Sequence, residues 1–219
     1  MPFPAVLYAA ALSQTLPPIA ALTRWGRPVP VPARWVLAWC GLLVVTDAIS
    51  LAVNVAHRQN LWLQYGAVPL GSALVLWALS QWQLNEVLRL AYRLAIVVLV
   101  VATIAALLVL RPEPMFEQVV EPFHALVLLA ASLNTLLHRA VRTTGSIAGE
   151  HWFWIALGLS LYFAASVSIG PFAVALLASN VDWVRQAYIA RAWTGVLAFV
   201  LITTGIVCPL FRRESGGRS

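Results

Sequence analysis

Residues 121–139, EPFHALVLLAASLNTLLHR, place Glu121, His124, Asn134 and His138 in a stretch that is otherwise apolar. A carboxylate and an imidazole three residues apart share one face of a helix. There they could hold a proton, take part in a metal site or contact a polar solute. A carboxylate-bridged metal centre also needs a second Glu-x-x-His and further carboxylates from facing helices. The chain has no second such pair, so neither a metal nor a cofactor is expected. Asp47 is the sharper case, because it stands near the middle of an apolar run, 34–55, too far from either end for a short side chain to reach water. An ionisable group at mid-bilayer costs about 2.5–3.5 kcal/mol on insertion scales and persists where it faces protein or water.

Helical spacing gives these groups a direction. Glu117, Glu121, His124, Ser132, Asn134, Thr135 and His138 fall within about 160° of arc, while Phe123, Leu126, Leu129 and Ala130 lie mainly opposite. Cys40, Asp47, Ser50, Asn54 and His57 form a second, narrower stripe. Both stripes are expected to face the interior of a helix bundle. The candidate substrate contacts are Asp47, Asn54, Tyr65, His124 and Asn134, and the candidate proton or ion-coupling groups are Asp47 and Glu121. Catalytic residues are not assigned: there is no nucleotide loop, no Gly-x-Ser-x-Gly elbow and no His-Glu-x-x-His pair.

The elements that must position these groups are membrane helices. The 219 residues are 61% hydrophobic and 10% charged, and mean hydropathy is +0.84. Such a chain expects lipid as its solvent. Seven segments are long enough to span, at roughly 4–22, 34–55, 61–81, 91–110, 118–137, 152–177 and 187–210. The sequence therefore predicts an all-α polytopic membrane protein of seven transmembrane helices. Residues 1–211 form one domain and 212–219 a short tail expected to be disordered. The first segment lacks a positive flank and a small-residue cleavage site, so it is expected to be a span and not a cleaved signal. Pro17, Pro18 and Pro69 interrupt apolar runs and are expected to kink or break their helices. Trp62, Trp152, Trp154 and Trp183 sit at span ends, where an aromatic belt belongs.

The net charge of +6 comes from fourteen arginines placed at span ends rather than gathered on one face, which argues against nucleic-acid binding. Ten of them follow the odd-numbered spans: Arg24, Arg27, Arg34, Arg89, Arg93, Arg139, Arg142, Arg212, Arg213 and Arg218. Four lie on the other side, Arg58, Arg111, Arg185 and Arg191. The positive-inside rule then predicts an outside N-terminus and a cytoplasmic C-terminus, in the cell inner membrane. The chain contains no lysine, which excludes a retinal Schiff base. Cys40 and Cys208 are expected to be small buried hydrophobes.

The order SQTL (13–16), Trp35 and NLWLQY (60–65) is similar to SLNTL (132–136), Trp154 and NVDWVRQAY (180–188). A parallel repeat of three spans, one linking span and three spans would produce this order. Asp47 at mid-span, NLWLQYGAVPL (60–70) and HWFWIALGLSLYF (151–163) resemble signatures of an uncharacterised bacterial family of seven-span membrane proteins. That family often has an acid after the span-three proline, where this chain has Leu70 and Gly71. The resemblance implies the fold and carries no activity.

The leading expectation for function is a small-solute transporter or permease with a polar cavity between spans two and five. The alternative is a ligand-sensing or accessory subunit acting through a protein partner, and the third is an intramembrane lipid enzyme using Asp47 and His124. The expected partners are the lipid bilayer and a small-molecule ligand.

Overall fold

The computed structural model describes residues 5–23, 28–55, 61–109, 119–143, 146–177 and 181–215, with side chains described except at 7, 54, 61, 109, 168–177, 181–184 and 209–215. Residues 24–27, 56–60 and 110–118, which include His57 and Glu117, lie outside the described residues. Among the described residues every regular element is helical. The α-helices are α1 (Ala5–Ser13), α2 (Leu16–Leu22), α3 (Val31–Val55), α4 (Leu61–Gln81), α5 (Glu86–Val109), α6 (Glu121–Ala140), α7 (His151–Leu177) and α8 (Val181–Ser215), and a 3-10 turn covers Ile147–Gly149. Four helices are long and apolar enough to cross a membrane, over Val31–Val53, Trp62–Gln81, Glu86–Leu108 and Arg185–Cys208. The described part of α7 adds a shorter apolar stretch, His151–Val167.

The first expected span is not one helix. Pro17 and Pro18 have no N–H to give to the carbonyls of Ser13 and Gln14, so the helix stops and restarts with the prolines in its first turn. Ser13 Oγ donates to Ala10 O at 2.7 Å and Thr15 Oγ1 to Leu12 O at 2.7 Å, which occupies two carbonyls at the break. The break leaves Gln14 between two helices rather than on the face of one. Pro69 acts differently: α4 continues through it. At the other end of the chain α8 runs to Ser215. Asn85 caps α5, its Oδ1 accepting from Val87 N at 2.9 Å.

The helices close into a ring. α1 and α2 pack on α8, α8 on α7, α7 on α6, α6 on α4, α4 on α3, and α2 meets α3 to complete it; α5 packs outside, against α4. The seam between α2 and α3 is the thinnest of these contacts, and the α7–α8 interface is the most extensive. Two glycines explain the latter. A Cβ on Gly158 would sit 2.6 Å from Ala198 O, and one on Gly205 would sit 2.6 Å from Ile155 Cγ1 and 2.8 Å from His151 O. Small residues let membrane helices approach until dispersion contacts are maximal.

One half of the ring is filled by a dry core that includes Val36, Leu76, Leu79, Ile155, Leu159 and Ile202. Beyond that core, α4 and α6 end and α5 and α7 begin, and arginines lie over tryptophans: Arg93 is 4.7 Å from the centre of Trp77 and Arg139 is 4.9 Å from that of Trp152. Gln81, with its amide oriented so that both indoles are satisfied, accepts from Trp35 Nε1 and Trp77 Nε1 at 2.9 Å each. The outer surface is apolar along the membrane-length helices, as Leu90, Leu94, Val98 and Val101 on α5 and Val45 and Leu51 on α3 illustrate. An exposed apolar surface of this extent suits lipid and not water.

Candidate functional site

The other half of the ring is hollow. A cavity of about 380 Å³ lies at the end where α4, α6 and α8 begin and α3 and α7 finish. This is at the small end of the range for ligand sites. Helix α3 contributes Trp39, Leu43, Thr46 and Asp47 along one stripe; α4 contributes Gln64, Gly71 and Ser72; α6 contributes Glu121, His124 and Leu128. Tyr162, Phe163 and Ser166 come from α7, Tyr188, Arg191, Gly195 and Phe199 from α8, and Ala10 and Gln14 from α1 and the break that follows it. Exposure falls with depth: Tyr188 is 44% exposed, whereas Trp39 and Phe199 are 3% and 1% exposed. The cavity therefore opens at this end and stops at an aromatic floor above the dry core.

Three formal charges line it. Glu121 and Arg191 face each other across α6 and α8 at 3.7 Å, both about one-third exposed. Asp47 meets a neutral group instead: Gln14 Nε2 donates to Asp47 Oδ2 at 2.9 Å. This bond bridges the broken helix and α3, so the interruption at Pro17–Pro18 brings an amide to the acid. The other amide atom, Gln14 Oε1, is buried and has no hydrogen-bond partner.

The aromatic residues form one contiguous group. Trp39 is edge-on to Tyr162 with ring centres 5.1 Å apart and stacks on Phe199 at 6.0 Å, and Tyr162 is edge-on to Phe163 at 5.3 Å and to Phe199 at 5.5 Å. Tyr162 lines the same cavity as Asp47, Glu121 and Arg191.

His124 lines the wall but is already engaged. It is 2% exposed, with Nδ1 2.7 Å from Ser72 Oγ on α4 and Nε2 2.9 Å from Thr103 Oγ1 on α5. Each hydroxyl has one proton and also lies within bonding distance of a carbonyl of its own helix, Val68 O at 2.9 Å and Leu99 O at 2.8 Å. A neutral ring must accept at one nitrogen, so one hydroxyl must turn its proton from its carbonyl to the ring. A protonated ring lets both keep their carbonyls. His124 is thus a strut joining α4, α5 and α6 whose protonation state sets a hydroxyl rotor.

The structure separates the candidate residues. Asp47, Glu121 and His124 meet around one cavity. Asn134 does not: its Nδ2 donates to Tyr92 Oη at 2.9 Å, and Tyr92 donates to Ala131 O at 2.9 Å, so the amide ties α6 to α5. The α6 stripe continues there as a structural seam, with Gln83 Nε2 donating to Thr135 Oγ1 at 2.7 Å. Tyr65 is half-buried and the wall is formed by its neighbour Gln64. The side chain of Asn54 lies outside the described residues. Sequence reasoning missed Gln14, Gln64, Trp39 and Arg191 as wall residues. Arg191 was legible in one respect: Tyr188, Arg191 and Gly195 recur at helical spacing on α8. From sequence it counts only as one of the four arginines that set the outer side.

Comparison of the chain with family models, with curated proteins and with solved structures gives no match.

Proposed function

We propose that this chain is a seven-span inner-membrane protein that moves a small polar solute by alternating access, with its N-terminus outside and its C-terminus cytoplasmic. The observation that carries this reading is the central cavity, open at one end of the ring and stopped at the other by an apolar plug and an arginine–tryptophan layer. Channels need a continuous path, whereas carriers present a site to one side at a time. The positive-inside rule assigns the arginine–tryptophan end to the cytoplasm, so the described conformation faces outward.

The order of packing supports a parallel three-one-three repeat. Exchanging α1–α2 with α6, α3 with α7, and α4 with α8 turns every contact of the ring into another contact of the ring. Helices α3 and α7 start at 31 and 151, and α4 and α8 at 61 and 181, the same offset in both pairs. Helix α5, outside the ring, takes the place of the linking span. The cavity then lies on the pseudo-two-fold axis, where carriers built from repeats hold their substrates. The two halves differ at the axis: 13–15 is a helix break, and 132–135 is continuous helix.

The test is access from each side. A Cβ on Gly195 would meet nothing within 4 Å, so Gly195→Cys can be introduced into the wall, in a background free of Cys40 and Cys208, without displacing neighbours. We expect a membrane-impermeant thiol reagent to label it from outside in intact cells and, in proteoliposomes, from either face in a population that exchanges. Labelling from neither face, or a permanently one-sided site that binds solute without flux, would replace transport with the sensing reading.

A further inference from the structure

We propose that the cavity takes a small organic cation, with Asp47 as its counter-ion and Tyr162 and Trp39 as its aromatic wall. The proposal deepens the carrier reading and rests on the cavity being the ligand site.

Charge bookkeeping gives the sign. Glu121 and Arg191 neutralise each other at 3.7 Å, and both nitrogens of His124 are taken by Ser72 and Thr103. Among the described residues Asp47 has one printed partner, the neutral amide of Gln14, so of the described carboxylates in the wall it is the one with no cation beside it. Asp47 is exposed and lines the cavity, so its carboxylate is open to attraction by a positively charged ligand. A ligand that brings the positive charge completes the site.

The wall chooses among cations. No group of three or more His, Cys, Asp or Glu among the described residues could cage an inorganic ion, and hard cations need six or more oxygen ligands. Sharing the cavity with Asp47 is a set of rings: Tyr162, packed edge-on against Trp39 and Phe199. Aromatic faces attract alkylammonium groups, whose charge is spread and weakly hydrated, and do little for a compact hydrated ion. The mouth is polar, with Gln64, Tyr188 and the Glu121–Arg191 pair, so the far end of the ligand is expected to carry a hydroxyl or similar hydrogen-bonding group.

A matched pair of probes tests the charge at constant shape: choline, and its neutral carbon analogue 3,3-dimethylbutan-1-ol. Binding to the full chain in lipid nanodiscs is read by tryptophan fluorescence, since Trp39 lines the cavity, with sodium and potassium chloride as separate titrations. We expect choline to bind at least about ten-fold more tightly than the neutral analogue, the size of a desolvated cation–π and ion-pair preference. In Asp47→Asn the two should bind alike, and Asp47→Glu should restore most of the difference. Equal binding of both probes to wild type overturns the proposal, as does sodium binding that choline cannot displace, or no binding of choline at all. If choline binds with this preference but is not taken up by proteoliposomes, the cation site stands and the carrier reading fails.

Discussion

Gln14 and Asp47 stand 33 positions apart in the chain, and the hydrogen bond between them is the short-range contact that closes the ring beside its thinnest seam. Replacing Gln14 by Leu keeps the volume and removes the donor, leaving the carboxylate without its described partner. We expect a modest loss of stability, about 1 kcal/mol, because hydrogen bonds between membrane helices average about 0.6 kcal/mol and this one has a carboxyl acceptor. Equilibrium unfolding of the purified protein in mixed micelles would measure it, and a Gln14→Leu variant as stable as wild type would remove the bridge from the account. His124 makes a contrasting prediction. Its two hydroxyl partners retain their own carbonyls when the ring is gone, so His124→Phe should cost about 1–2 kcal/mol through lost bridging and shape, with no orphaned group left behind. A double-mutant cycle with Ser72→Ala would isolate the coupling. Site residues were only partly visible at this scale. The types of Asp47, Glu121 and His124 announced them, since ionisable groups are costly in hydrocarbon. Asn134 looked equivalent and is bonded to Tyr92, because helical spacing fixes a face and not which neighbour covers it.

At the scale of elements, glycines and prolines place the helices. Helices α7 and α8 approach so closely at Gly158 and Gly205 that a Cβ at either position would overlap backbone or β-branched side chain of the partner. We expect Gly158→Val and Gly205→Val each to destabilise the fold by about 2–3 kcal/mol or more, as overpacking against a rigid backbone does. Gly195→Ala, with open space around it, is the neutral control. Thermal unfolding followed by size-exclusion chromatography in detergent would rank the three, and equal midpoints would sink the close-packing account. Pro17 and Pro18 act on function rather than packing. The double variant to Ala should let one helix run through 5–22, carry Gln14 off Asp47, and lower cation binding while raising helicity by circular dichroism. The sequence made the proline break visible. It could not show that the break would restart within two residues and aim an amide inward, because that depends on what α3 and α8 offer opposite.

For the whole molecule, the asymmetry between the two ends of the ring is the organising fact. One end packs arginine over tryptophan above a dry core; the other is hollow and carries an acid, an ion pair and exposed tyrosine. If the arginine-rich end is cytoplasmic, a C-terminal fluorescent fusion should fluoresce and a C-terminal alkaline phosphatase fusion should stay inactive, the reverse result inverting the topology. The amino-acid sequence by itself determined that this is a helical protein with an apolar exterior, roughly where the longer helices fall, and which side chains are too polar to face lipid. Those properties are local: hydropathy, helical period and proline chemistry act within a turn or two of the chain. Only the tertiary structure decided that Asp47, Glu121, Arg191 and the aromatic group of Trp39, Tyr162 and Phe199 share one cavity while Asn134 and Thr135 belong to a structural seam. Which polar face meets which neighbour is set by packing between helices far apart in sequence, with α1 and α2 against α8 and α4 against α6, and no local pattern records that choice.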